Sequence, residues 1–85
     1  MKLYVGNLPL NFNDYELQEL FRPYGEVVSA TVITDHQSGH SRGFGFVEMA
    51  ARDEAQQAIQ AMNANTVDGY ELTVNEARED RKRTR

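Results

Sequence analysis

Leu17, Leu20, Phe21 and Tyr24 recur at the i, i+3, i+4, i+7 spacing of a single helix face, and Ala55, Ala58, Ile59 and Met62 repeat that spacing further along. Each apolar stripe lies between runs that read as strands. Two one-sided helices must cover an apolar surface, and a chain of 85 residues has room for one core and one sheet to supply it. The elements therefore follow the order strand–helix–strand–strand–helix–strand.

Local signals mark the elements. Lys2 to Gly6 reads as a short strand, closed by Gly6-Asn7 and Pro9. A helix is predicted within 11–24. Asn13 is a good N-cap, Glu16 three residues later completes a capping box, and Phe12 and Leu17 are placed for a hydrophobic staple. Pro23 and Gly25 close it. Residues 26–34, rich in Val, Ile and Thr, predict a second strand. A polar loop follows over 35–41, then an alternating third strand over 42–49. A second helix is predicted over 53–63, with Asp53 and Glu54 at the positive end of its dipole and no capping side chain at Ala51. Residues 63–69 read as a loop and 71–76 as the fourth strand, with Leu72 and Val74 on one face. Right-handed crossovers then interleave the two halves into an α+β, split βαβ (ferredoxin-like) sandwich. It has one four-stranded antiparallel sheet, with both helices on the same side.

Charge and composition narrow the function. Five of the nine basic residues fall within residues 78–85 against two acidic ones, so that segment carries +3 and the rest of the chain −7. An acidic body is poorly suited to binding duplex DNA through many phosphate contacts. There is no cysteine, hence no thiolate nucleophile or thiolate metal site. No nucleophile–base pair is recognisable, so an enzyme is not expected. The longest nearly apolar run, Val27 to Ile33, is far short of a bilayer span. From these features a cytoplasmic monomer is expected, with no cofactor, membrane or small-molecule substrate.

Alternation along the strands points to the chemistry. If Leu3, Val5, Val47 and Met49 face the helices, then Tyr4, Arg42, Phe44, Phe46 and Glu48 face the other way. The reverse assignment would leave the aliphatic residues in water and the helices without a partner. Three aromatic rings on the open side of a small sheet make an informative patch. Nucleobases stack on aromatic faces at roughly 1–3 kcal/mol each, and a duplex hides its base faces. The partner expected is therefore single-stranded RNA, with single-stranded DNA not excluded by stacking, and Arg42 is placed to pair with a phosphate.

Leu3-Tyr4-Val5-Gly6-Asn7-Leu8 and Arg42-Gly43-Phe44-Gly45-Phe46-Val47-Glu48-Met49 resemble the two ribonucleoprotein motifs of the RNA-recognition motif (RRM) family. The second segment matches seven of the eight positions of its motif, and the two lie at the family's usual separation. The resemblance covers residues 1–77, in the manner of small single-domain bacterial-type members, and leaves 78–85 as a charged, flexible tail. It implies that Tyr4 and Phe44 each stack a base, that Phe46 inserts between sugars or stacks in turn, and that Arg42 contacts phosphate. It also implies that Asn75 and Ala77 at the end of the fourth strand contribute, with Thr31 and Ile33 as neighbours on the open face. Met49 departs from the motif's closing aromatic but alternates to the helix side. Tyr70 stands where many relatives carry a basic residue.

Other signals are weaker. Gly43-Phe44-Gly45 lacks the third glycine and following helix of a phosphate loop, and its glycines instead permit close backbone approach. His36 and His40 lack the further ligands a zinc site needs and read as loop residues. Glu48 either reads a base amino group or repels phosphate, and the basic tail either tethers RNA or solubilises the chain end. The alternative function is a protein–protein interaction module of the same fold, using the sheet or the acidic helix face.

Overall fold

The computed structural model describes residues 1–77 apart from 36 and 40, with 41 and 42 described by their backbone alone. The readings of His36, His40 and the 78–85 tail lie outside the described residues, as does the Arg42 side chain. The elements run β1 (Lys2–Gly6), α1 (Asp14–Phe21), a single 3-10 turn (Arg22–Tyr24), β2 (Val27–Thr34), β3 (Ser41–Met49), α2 (Arg52–Met62), β4 (Thr66–Val67), β5 (Tyr70–Glu71) and β6 (Thr73–Glu76). The main sheet has the order β2-β3-β1-β6, antiparallel throughout.

The start of α1 follows its sequence signals. Asn13 Oδ1 accepts from the Glu16 backbone N–H at 2.8 Å, and Glu16 Oε1 accepts from the Asn13 N–H at 3.0 Å. This satisfies two backbone donors that would otherwise be orphaned, typically worth ~1 kcal/mol. The α-helix stops at Phe21, earlier than the 11–24 window. Pro23 has no N–H to continue the ladder and its ring would meet the carbonyl four residues back, so the chain tightens into the 3-10 turn. The N-cap of α2 is Ala51, with no side-chain hydrogen bond.

Both helices cover one face of the sheet. Leu17 and Phe21 of α1 and Ala55, Ala58 and Met62 of α2 join Leu3, Val5, Val32, Val47, Met49 and Val74 of the strands in one buried cluster, and Phe12, Leu20, Tyr24 and Ile59 pack around it. Burying a large apolar side chain of this set contributes roughly 1.5–3 kcal/mol. Gly45 belongs to this face. A Cβ there would stand 2.5 Å from the Thr31 carbonyl oxygen and 3.0 Å from Leu17 Cδ2, so the glycine lets α1 settle against β2 and β3. The other glycine of the motif differs: Gly43 adopts φ 85°, and close packing is not its role.

The predicted fourth strand over 71–76 is divided. Tyr70–Glu71 pairs with Thr66–Val67 in a separate hairpin, and only Thr73–Glu76 joins the main sheet. The hairpin turn is Asp68-Gly69, with φ of 51° and 83°. Two successive positive φ values are what a two-residue type I′ turn demands, and Asp-Gly is among the sequences that supply them. Leu72, between the two strands, is buried and exchanges backbone bonds with Ala64 and Asn65.

Strand β2 also departs from simple alternation. The register passes from Val27↔Met49 to Ser29↔Glu48, so Val28 is an extra residue. This bulge leaves Val28 exposed and resets parity. Val27, Ala30 and Val32 then all pack on the core, while Thr31 takes the open side opposite Phe46.

The two outer strands are capped along their free edges. Asp14 Oδ1 accepts from the Val32 N–H at 2.7 Å on β2, and Asn63 Oδ1 accepts from the Val74 N–H at 3.0 Å on β6. Side chains at the start of α1 and just past the end of α2 thus occupy donors that an edge strand would otherwise present for pairing.

Candidate nucleic-acid interface

The register brings most of the expected residues together. In one row across the sheet, Thr31 of β2 faces Phe46 of β3, Phe46 faces Tyr4 of β1, and Tyr4 faces Asn75 of β6. On one side of that row Phe44 is opposite Gly6, and on the other Glu48 lies between Ser29 and Lys2. The Ala77 N–H donates to the Lys2 carbonyl at 2.8 Å and extends the β6 pairing beside this last row. Directly paired residues of antiparallel strands share a face, so these residues lie opposite the helices.

Tyr4, Phe44 and Phe46 are partly exposed and stand outside the buried cluster. Their centroids form a near-equilateral triangle: 5.9 Å for Tyr4–Phe44, 6.0 Å for Tyr4–Phe46 and 6.2 Å for Phe44–Phe46. Tyr4 and Phe44 are inclined by only 33°, whereas Phe46 stands at 64° to Tyr4 and 90° to Phe44. Edge-to-face contacts of this kind hold aromatic clusters together. Tyr4 lies over Gly6, where no Cβ stands in its way, so its ring is laid along the sheet.

Two basic residues belong to the strands of this face. Arg42 belongs to β3 by its backbone, two residues before Phe44, but its side chain is not described. Lys2 was not among the expected site residues, yet its ammonium lies 5.3 Å from the centroid of Phe46, within cation–π range. The sequence carried the signal, because Lys2 precedes Tyr4 by two and shares its strand face.

The remaining expected residues surround this cluster. A depression of about 250 Å³ beside Phe46 is lined by Lys2, Ser29, Thr31, Ile33, Phe46 and Glu48, which places both Thr31 and Ile33 at the edge of the aromatic patch. Met49, the departure from the family motif, is buried on the helix side. Tyr70 lies in the small hairpin, exposed and paired with Val67. Among the described residues no group of three or more His, Asp or Glu side chains is arranged to hold a metal ion. An ion pair joins Glu19 of α1 to Arg22 of the 3-10 turn, where hydrogen bonding to Glu19 raises the Arg22 guanidinium above its usual pKa.

Comparison with known proteins places the fold in a family. The RNA recognition motif family matches residues 3–73. A 28 kDa chloroplastic ribonucleoprotein of Spinacia oleracea is 45% identical over 82 residues, covering 96% of this chain and 35% of that protein. The crystal structure of RNA binding protein PG1 superposes with a TM-score of 0.90 at 46% identity, over 93% of this chain and 95% of that one. A Sxl-lethal protein–RNA complex gives a TM-score of 0.85 at 38% identity, over 89% of this chain and 47% of the other. The chain thus spans about a third of the length of the spinach relative.

The expected cytoplasmic location is overturned by these relatives. Relatives from Spinacia oleracea, Nicotiana sylvestris and Arabidopsis thaliana include chloroplastic ribonucleoproteins. Compartment is set by targeting segments rather than by the fold, so the composition of a domain does not report it.

Proposed function

The chain belongs to the RNA recognition motif family, and from that premise we propose that it binds short single-stranded RNA across the open face of its sheet. The observation that carries this reading is the aromatic triangle of Tyr4, Phe44 and Phe46, partly exposed on the side the helices leave uncovered. Ribonucleoproteins among its relatives and an RNA complex among its structural neighbours support it.

In this reading successive bases stack on Tyr4 and Phe44, Phe46 supports the sugar or a further base, and Arg42 pairs with a phosphate between them. Asn75 and Ala77 contribute at the end of β6, and Thr31, Ile33 and Glu48 border the path on β2 and β3. Stacking needs unpaired bases, which selects single strands over duplex, and by itself does not exclude single-stranded DNA. The acidic body contributes little attraction, so affinity comes mainly from stacking. The domain acts by binding, as one copy, with no bond made or broken in its partner.

The test is a fluorescence-anisotropy titration with a short RNA of randomised sequence. It compares the wild-type chain with the double variant Phe44→Ala, Phe46→Ala, whose fold is checked by circular dichroism. The folded variant is expected to lose more than one stack, which is worth roughly 1–3 kcal/mol, with the smaller share from Phe46. A wild-type chain that does not bind at low salt, or a folded variant that binds equally well, would overturn the reading.

A further inference from the structure

The depression beside Phe46 holds an ammonium and a carboxylate that form no ion pair among the described residues. Lys2 and Glu48 are direct cross-strand partners of β1 and β3, a placement that normally favours an ion pair. Among the described residues, however, the ammonium is in no salt bridge and lies over the Phe46 ring instead, and the Glu48 carboxylate has neither a salt bridge nor a hydrogen bond. Ser29 and Thr31 add hydroxyl groups and Ile33 an apolar wall. At about 250 Å³ the hollow approaches the lower end of small-molecule sites, about 300 Å³. An acidic side chain bordering a path for phosphates is unfavourable unless a donor group meets it.

We propose, building on the RNA-binding reading above, that this depression is a guanine-selective subsite. Glu48 accepts the N1–H and N2–H groups of the base, Lys2 donates to O6, and Phe46 and Ile33 border its ring system. A carboxylate has two acceptor oxygens side by side and binds best to two parallel N–H groups. Guanine is the one common base whose pairing edge offers two adjacent N–H donors, and its carbonyl lies next to them for the ammonium. Adenine and cytosine each offer one amino group beside an acceptor nitrogen. Uracil offers one N–H between two carbonyls, so a carboxylate oxygen would face a carbonyl. Single-stranded RNA leaves these edges free to be read.

The whole chain is titrated with five RNA pentamers, identical uridine oligomers except for guanine, adenine, cytosine, inosine or uridine at the centre. The guanine pentamer is expected to bind about tenfold more tightly than the adenine and cytosine ones, the scale of one bidentate contact. Inosine lacks only the 2-amino group and should lose several-fold. In the variant Glu48→Gln, whose amide replaces one acceptor with a donor, the guanine preference should disappear. Equal affinity for guanine and inosine, or a preference that survives Glu48→Gln, overturns the subsite while leaving RNA binding in place. Failure of all five pentamers to bind overturns the RNA-binding reading and the subsite with it.

Discussion

The Tyr4 ring lies over Gly6, so that a Cβ at Gly6 would stand 2.7 Å from the Tyr4 hydroxyl oxygen and 2.9 Å from Cε2. Real Cβ atoms do not approach so closely, and the group in the way is the far end of a rotatable side chain. Gly6→Ala is therefore expected to swing the ring off the sheet with little effect on the fold. RNA affinity should fall toward that of Tyr4→Ala, a loss of roughly 1–3 kcal/mol, while the thermal midpoint moves little. Anisotropy titration and a melt on the same sample check both halves; an unchanged affinity would show that the ring position does not matter.

Ring orientation separates the three aromatics. Tyr4 and Phe44 are inclined by 33° and offer similarly directed faces, whereas Phe46 stands across them with the Lys2 ammonium over its ring. Tyr4→Leu and Phe44→Leu should each cost roughly 1–3 kcal/mol of RNA binding, because each removes one stacking face. Phe46→Leu should cost less than either. Single-variant titrations that rank Phe46 first would reverse this assignment.

The edge caps should be visible in stability rather than in binding. Removing Asp14 strands the Val32 N–H on the β2 edge, and removing Asn63 does the same for Val74 on β6. Asp14→Ala and Asn63→Ala are each expected to cost about 1–3 kcal/mol, the penalty of a polar group left unpaired where it is partly buried. Asp14→Asn keeps an acceptor oxygen and should recover most of the loss. Urea unfolding of the three variants gives the comparison.

Helix α2 starts without a side-chain cap at Ala51. Ala51→Ser is expected to stabilise the protein by ~1 kcal/mol, since the hydroxyl can accept one of the orphaned N–H groups of the first turn. For a domain of this size that is a rise in Tm of about 4–8 °C. A melt without a shift would show that the cap lies elsewhere, at Asp53, whose Oδ1 accepts from the Glu54 N–H at 3.0 Å.

Much of this protein is legible in its residues taken a few at a time. The Asn13–Glu16 capping box, the stop at Pro23 and the separation of Tyr4, Phe44 and Phe46 from Leu3, Val5 and Val47 are local. Each depends on neighbours within a turn of helix or on the two-residue period of a strand. The hairpin turn at Asp68-Gly69 is local too, and its signal is present in the sequence. A continuous strand was expected there because Leu72 and Val74 alternate correctly, and alternation alone does not show that the chain changes partners between Glu71 and Thr73. What tertiary structure alone decided depends on register between distant segments. The bulge at Val28 turns Val27, Ala30 and Val32 to one side. Asp14 and Asn63 reach the sheet edges across 18 and 11 residues of chain. Lys2 comes to face Glu48 and yet rests on Phe46. Cross-strand register is set by packing of the whole core, because a one-residue slip would carry every apolar side chain to the wrong face. That constraint belongs to no single stretch of sequence, so the row Thr31, Phe46, Tyr4, Asn75 emerges only when the four strands are assembled.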